Sequence, residues 1–286
     1  MADVAEPAGG TVVEVEAVSL NPIDVAVGSG RFYGGHPPLP YVPGCEAVGR
    51  VGERRVYVFG DGRGVAKDGF AAERVAVPDG ILVELPDGAD PALAAATGIA
   101  GIAGYVPVAW KAQVREDDRV LVLGATGIVG AVALQAAKLA GAHVIAAGRR
   151  REALDRALEL GADEAFALDE LPDDLQPTVV IDPLWGEPLA RATQLAARHA
   201  RIVNIGQSAG PETTLTSADV RGKELVVMGH SNFALSRDEH NRAYLELLDH
   251  VLAGRVVLDL ETFPLDDVAA AWERQASGSG KAVVTL

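Results

Sequence analysis

The residues in this chain best suited to holding a charged ligand are a glycine-rich turn, Gly124-Ala125-Thr126-Gly127-Ile128-Val129-Gly130, and a run of arginines further on, Arg149-Arg150-Arg151. The apolar stretch Val120 to Leu123 runs straight into the turn, and the Ala-rich stretch Ile128 to Ala140 leaves it. That strand-turn-helix context separates a phosphate-binding fingerprint from a merely tight turn. Gly127 falls where a pyrophosphate must approach backbone, Gly130 falls where the helix must pack closely on the strand, and Ala125 takes the first glycine position of the motif. The start of the helix offers unpaired N–H groups to the phosphates. A second strand, His143 to Ala147, ends at Gly148. A dinucleotide lacking a 2′-phosphate usually meets Asp or Glu there, held to the ribose hydroxyl. A small residue followed by guanidinium forks suits a 2′-phosphate instead. The alternative, a solvated basic helix start, sets cations against the helix dipole. The spacing therefore predicts NADPH, with Ala125, Thr126, Gly127, Ile128, Val129, Gly148, Arg149 and Arg150 as its binding residues.

The rest of the chain supplies elements to position such a turn. From Val120 onward, short apolar runs alternate with Ala/Leu-rich stretches, the pattern of a parallel sheet covered by helices on both faces. Strands are expected at Val120–Leu123, Val144–Ala147, Ala165–Leu168, Val179–Asp182, Ile202–Ile205 and Leu225–Met228. Helices are expected at Ile128–Ala140, Glu152–Leu160, Pro188–Arg198 and Asp238–Leu252. The first hundred residues are different. Short alternating runs (Thr11 to Val18, Arg55 to Phe59, Ala72 to Val77) lie between turn clusters such as Pro86-Asp87-Gly88, which predicts an antiparallel β domain. After Gly254 a strand, a helix over Asp266–Gln275 and the strand beginning at Lys281 are expected to return to that first domain. The expected organisation is a β domain over 1–105 completed by 255–286, and a Rossmann, doubly wound α/β domain over 106–254.

Composition bounds the rest. A chain of 286 residues favours two domains and a cleft between them. The formal net charge of −15 opposes nucleic acid and anionic membrane surfaces, which need a basic footprint. Apolar runs are interrupted well short of a membrane span, so none is expected. The start of the chain does not read as a secretory signal, and the single cysteine, Cys45, fits a reducing, cytoplasmic setting.

Several segments together give the chain a family resemblance: Asn21-Pro22-Ile23-Asp24, Pro43-Gly44-Cys45-Glu46-Ala47-Val48-Gly49-Arg50-Val51, the glycine turn, Ile202-Val203-Asn204-Ile205-Gly206-Gln207, and Gly280-Lys281-Ala282-Val283-Val284. It resembles the medium-chain dehydrogenase/reductase superfamily, in its zinc-free quinone oxidoreductase branch. The resemblance implies a GroES-like β domain beside the Rossmann domain, an active site in the cleft between them, and a homodimer formed through Rossmann strands, here Leu225–Met228 with the loop Gly229–Ser236. It places Asn21 near nicotinamide and substrate, a tyrosine in the pocket, and the Ile205, Gly206 and Gln207 loop against the nicotinamide carboxamide. Phe32 stands at the tyrosine position with Tyr33 one residue later, so Tyr33 is a candidate proton donor or a packing residue. Thr97 either faces the nicotinamide or caps a helix. Relatives also carry a longer connection between Val51 and Arg55.

In zinc-dependent members the metal is held by Cys, His and Cys. The corresponding positions here are Asn21, Cys45 and Ile99, which cannot make a catalytic zinc site, so no metal is expected. Without a Lewis acid, hydride addition to a quinone or an α,β-unsaturated carbonyl is easier than alcohol oxidation. A small electrophile is then the expected substrate. Two other readings stay open at this point: a cofactor-binding sensor or accessory protein without turnover, and a biosynthetic enoyl reductase.

Overall fold

The computed structural model describes residues 6–32, 34–278 and 280–286. The chain divides into two compact units, Met1–Ala100 with Leu258–Leu286, and Gly101–Val257. In chain order the strands are β1 (Thr11–Ser19), β2 (Glu46–Val51), β3 (Arg54–Phe59), β4 (Arg74–Val77) and β5 (Leu82–Glu84), then β6 (Arg119–Leu123), β7 (His143–Gly148), β8 (Glu164–Ala167), β9 (Val179–Asp182), β10 (Arg201–Asn204) and β11 (Val226–Gly229), then β12 (Leu260–Pro264) and β13 (Lys281–Thr285).

In the first unit the described strands form one sheet in the order β12-β13-β1-β2-β3-β5, with β4 also on β1. Strand β1 organises it. Its first half pairs with β4, from Thr11 opposite Val77 to Glu14 opposite Arg74, and its second half pairs with β13, from Ala17 opposite Thr285 to Ser19 opposite Val283. The change of partner coincides with a bulge between Val15 and Ala17, opposite β2. Glu16 sits in that bulge and pairs with Arg50 and Arg55 of the neighbouring strands. The Arg55 hydrogen bond, opposed by burial, leads the effects that hold its carboxyl below the usual range. Register explains why the C-terminal segment returns here: the run Ala282-Val283-Val284 is buried on both faces, and β1 supplies the backbone partners for it. The β2–β3 connection is a two-residue turn, Gly52-Glu53, because Val51 lies opposite Arg54. Gly52 takes φ +60° there, as such a hairpin requires.

In the second unit the described strands are all parallel, in the order β11-β10-β9-β6-β7-β8. This is the doubly wound arrangement, with the order reversing between β6 and β9. All six expected strands are present within a residue or two of their predicted ends. Their cores, Val120 to Leu123, Val144 to Ala147 and Val179 to Ile181, are fully buried because helices cover both faces. The last long helix, Arg237–Leu252, is fixed at its start by Ser236 and Glu239, each capping the other's backbone N–H.

Helical turns from Pro91 to Ala112 cross the boundary at Ala100 and Gly101. By length and composition alone this stretch could cross a membrane, but most of it is buried. Its helical geometry breaks at Gly98. Gly101–Ala112 packs with the second unit because Gly104 lies against the helix Ile128–Leu139; a Cβ there would come within 2.4 Å of the Val129 carbonyl.

Candidate functional site

In the second unit the glycine turn follows β6 and ends at Gly127, the N-cap of the helix Ile128–Leu139. No side chain caps that helix. The first intrahelical bond is Ala131 N–H to the Gly127 carbonyl, so the N–H groups of Ile128, Val129 and Gly130 are left for a ligand. Gly130 is needed for the close approach, since a Cβ would sit 2.4 Å from the Gly124 carbonyl. Ala125 is 1% exposed and its N–H donates to the Ala147 carbonyl, so it shapes the turn and has no backbone donor to offer.

At the end of β7, Gly148 is buried beneath Thr126, whose Cγ2 would lie 2.7 Å from an added Cβ. Arg149 and Arg150 are exposed and form no ion pair among the described residues, while Arg151 is tied to Glu170. The helix Arg151–Glu159 also begins without a side-chain cap. Two unpaired guanidiniums thus stand at an uncapped helix start beside a position with no carboxylate. Ile205 and Gly206 follow β10 and are half-buried, and Gln207 is exposed.

The first unit gathers its polar groups around one buried carboxylate. Glu46 is fully buried at the start of β2. Its Oε1 accepts from Ser19 Oγ (2.7 Å) and Asn21 Nδ2 (2.8 Å), and its Oε2 accepts from Tyr57 Oη (2.9 Å) and the Ile99 N–H (2.6 Å). The last bond exists because the chain kinks at Gly98, where a Cβ would fall 1.8 Å from Glu46 Oε2. Lys281, 1% exposed on β13, donates to Asn21 Oδ1 and to the Leu20 carbonyl, both at 2.6 Å. Asp24 accepts the N–H groups of Asn21 (2.8 Å) and Cys45 (2.9 Å), fixing the local backbone as a short acceptor in a turn does.

Burial pushes the Glu46 and Asp24 carboxyls up, against the opposing pull of Lys281 and the donors. Burial also brings Lys281 down to about 8, although both carboxylates favour its charged form. The cluster is a hydrogen-bonded charge centre in which Asn21 bridges Lys281 and Glu46, so that each buried charge has hydrogen-bond partners.

Asn21, expected near nicotinamide and substrate, has its side chain fully buried in this cluster, its Nδ2 donating to Ser19 O and Glu46 and its Oδ1 accepting from Lys281, so the amide braces the cluster. Thr97 is likewise fully buried and gives its hydroxyl hydrogen to the Leu93 carbonyl. Tyr33 lies outside the described residues.

The three positions that correspond to zinc ligands do converge, but on Glu46 and Asp24. Asn21 gives its amide to Glu46, Ile99 gives its backbone N–H to Glu46, and Cys45 is a buried thiol pushed up, chiefly by burial and then by Asp24. That donor set does not fit zinc. Among the described residues no group of three or more His, Cys, Asp or Glu side chains could hold a metal ion.

Sequence reasoning includes Glu46 and Lys281 only as parts of motifs, and passes over Ser19 and Tyr57. The available signal is a single charge at the head of an apolar strand, in Glu46-Ala47-Val48 and in Lys281-Ala282-Val283-Val284.

Residues 7–87 match the family model described as alcohol dehydrogenase GroES-like domain, and residues 129–250 the one described as zinc-binding dehydrogenase. A quinone oxidoreductase of Lama guanicoe is 29% identical, covering 95% of this chain and 86% of the relative. One of the phenolphthiocerol/phthiocerol polyketide synthase chains of Mycobacterium tuberculosis is 29% identical over 96% of this chain but only 13% of its own length. The quinone oxidoreductase of Thermus thermophilus, solved with and without NADPH, is 31% identical, with a TM-score of 0.82 over all of this chain and 95% of that one.

Proposed function

This chain belongs to the medium-chain dehydrogenase/reductase superfamily, and from that premise we propose that it is an NADPH-dependent, zinc-independent reductase of quinones or α,β-unsaturated carbonyls. The observation that carries the proposal is the pairing of an uncapped glycine-turn helix with Gly148, Arg149 and Arg150. Bound NADPH would supply hydride to an electron-poor carbon of the substrate. The chain's own part is to hold it: the N–H groups of Ile128, Val129 and Gly130 receive the pyrophosphate, and the two arginines receive the 2′-phosphate. The donor set at Asn21, Cys45 and Ile99 supports zinc independence, and the quinone oxidoreductase relatives support the substrate class. Tyr33 is proposed as the proton donor to the developing oxyanion. Purified protein is expected to oxidise NADPH when offered a panel of quinones, enals and enones, with chelator present. No turnover with any of them would reject the proposal.

The polyketide synthase relative favours a second reading, an enoyl reductase acting on thioesters. A clear preference for an enoyl thioester over free quinones and enones would select it.

We also propose that the protein is a homodimer paired through β11. That strand is the edge of its sheet, and Val226 and Val227, which point to opposite faces, are 47% and 39% exposed, with Phe233 54% exposed nearby. An apolar, unpaired edge is suited to a second copy of itself across a twofold axis. Val227→Lys together with Phe233→Glu is expected to halve the mass seen by sedimentation. An unchanged mass would place the contact elsewhere.

A further inference from the structure

The carboxyl ends of β6 and β9 flank the place where the strand order reverses, and ligands of doubly wound sheets bind outside that point. The glycine turn follows β6, and the arginines follow β7 on one side of it. A dinucleotide whose 2′-phosphate lies at Arg149 and Arg150 and whose pyrophosphate lies at the turn must therefore extend its other half over the loops that follow β9 and β10. The first of these loops lies against the turn: an added Cβ on Gly124 would meet Leu184 at 3.1 Å and Pro183 at 3.3 Å.

One side chain ties the two loops together. Asp182 ends β9 and is fully buried. Its Oδ1 accepts the N–H groups of Leu184 and Trp185, both at 2.9 Å, and its Oδ2 accepts Asn204 Nδ2 at 2.8 Å. Asn204 Nδ2 also donates to the Gly206 carbonyl at 2.7 Å. Backbone bonds continue the seam, from Ala209 N–H to the Leu184 carbonyl at 2.8 Å and from Ser208 N–H to the Pro183 carbonyl at 3.3 Å. Trp185 is held at φ +57°, a conformation that a bulky residue adopts only when its surroundings impose it. Gly206 is close enough to the Pro183 carbonyl that a Cβ would lie 2.7 Å from it.

We infer that Asp182 is a positioning residue for the nicotinamide half of the cofactor, acting through the loops 183–186 and 205–210, an assignment that rests on the NADPH reading above. The arginine side of the site does not depend on it. Burial raises the Asp182 carboxyl while Asn204 and the two backbone donors oppose that rise, so each donor counts toward keeping the loop seam closed.

The test compares two ligands on the full chain. In Asp182→Asn one of the two accepting oxygens becomes an amide NH2, so either the Asn204 bond or the bonds from the Leu184 and Trp185 N–H groups are lost and the seam is weakened. NADPH is expected to bind about tenfold or more weakly, whereas adenosine 2′,5′-bisphosphate, which reaches only the turn and the arginines, keeps its affinity within about twofold. Asn204→Ala opens the seam from the other loop and is expected to give the same split should the first variant fail to fold. A general structural role would weaken both ligands together, and that result, or no change in either, overturns the assignment while leaving the NADPH reading in place. A native chain that binds neither ligand overturns both.

Discussion

Lys281→Met is expected to lower the stability of the protein by about 2–4 kcal/mol, because it leaves two buried acceptors, Asn21 Oδ1 and the Leu20 carbonyl, without their donor and removes the cation that favours the buried Glu46 and Asp24 carboxylates. Lys281 is the cation of the first unit's charge centre, bonded to Asn21 Oδ1 and the Leu20 carbonyl and favoured by Glu46 and Asp24. Met keeps much of the stem's volume, so the loss is electrostatic more than steric. The deficit should depend on pH in a defined direction. Without the ammonium, the Glu46 carboxyl, already raised by burial, rises further above its unfolded value near 4.5. The folded variant then binds more protons than the unfolded chain between about pH 4.5 and the raised value, and its stability falls as pH climbs through that window. Urea unfolding of the whole chain is therefore expected to show a smaller gap between native and variant at about pH 5 than at about pH 7.5. A gap of equal size at both would mean that the lysine acts by packing alone.

Arg149→Ala combined with Arg150→Ala is expected to weaken NADPH about 100-fold or more, since charge-assisted hydrogen bonds contribute roughly 1.5–3 kcal/mol each. NADH has no 2′-phosphate, and its affinity should hardly move. Both side chains are exposed and without ion-pair partners among the described residues, so removing them costs the fold little. Titration of cofactor fluorescence at fixed salt reads both affinities. A native chain that binds NADH as tightly as NADPH contradicts the assignment, and so does a double variant that loses both cofactors equally. Arg151 provides an internal contrast, because Glu170 already holds it. Arg151→Ala should weaken NADPH far less than the pair.

The second unit was legible in the sequence almost element by element. Its strands are short apolar runs bounded by Gly or charge, and a parallel sheet buried on both faces leaves that pattern wherever it occurs. The glycine turn was legible for a related reason: its chemistry is backbone chemistry, and the small residues that permit it lie within seven consecutive positions. The first unit was read only in outline. Its buried charge centre depends on Lys281 meeting Asn21 across most of the length of the chain, and no local pattern encodes that meeting.

Asn21 marks the boundary between the two kinds of knowledge. The family resemblance suggests a residue near the reaction, and the structure sets it before the helix Pro22–Gly28 with its backbone N–H given to Asp24. Whether its amide faces a substrate or a buried carboxylate is decided by Glu46, Lys281 and the kink at Gly98, which come from three separate stretches of chain. Asp182 is similar: as the last residue of Val179-Val180-Ile181-Asp182 it looked like a strand end, and only the approach of Asn204 from the next strand makes it the tie between two loops. The sequence alone determined the α/β architecture, the glycine-rich strand-to-helix turn and the absence of an acidic residue at Gly148, because each rests on local periodicity or on the chemistry of adjacent residues. The tertiary structure alone decided which polar side chains are satisfied inside the protein and which remain free for a ligand, because hydrogen bonding in a buried site depends on groups brought together from distant parts of the chain.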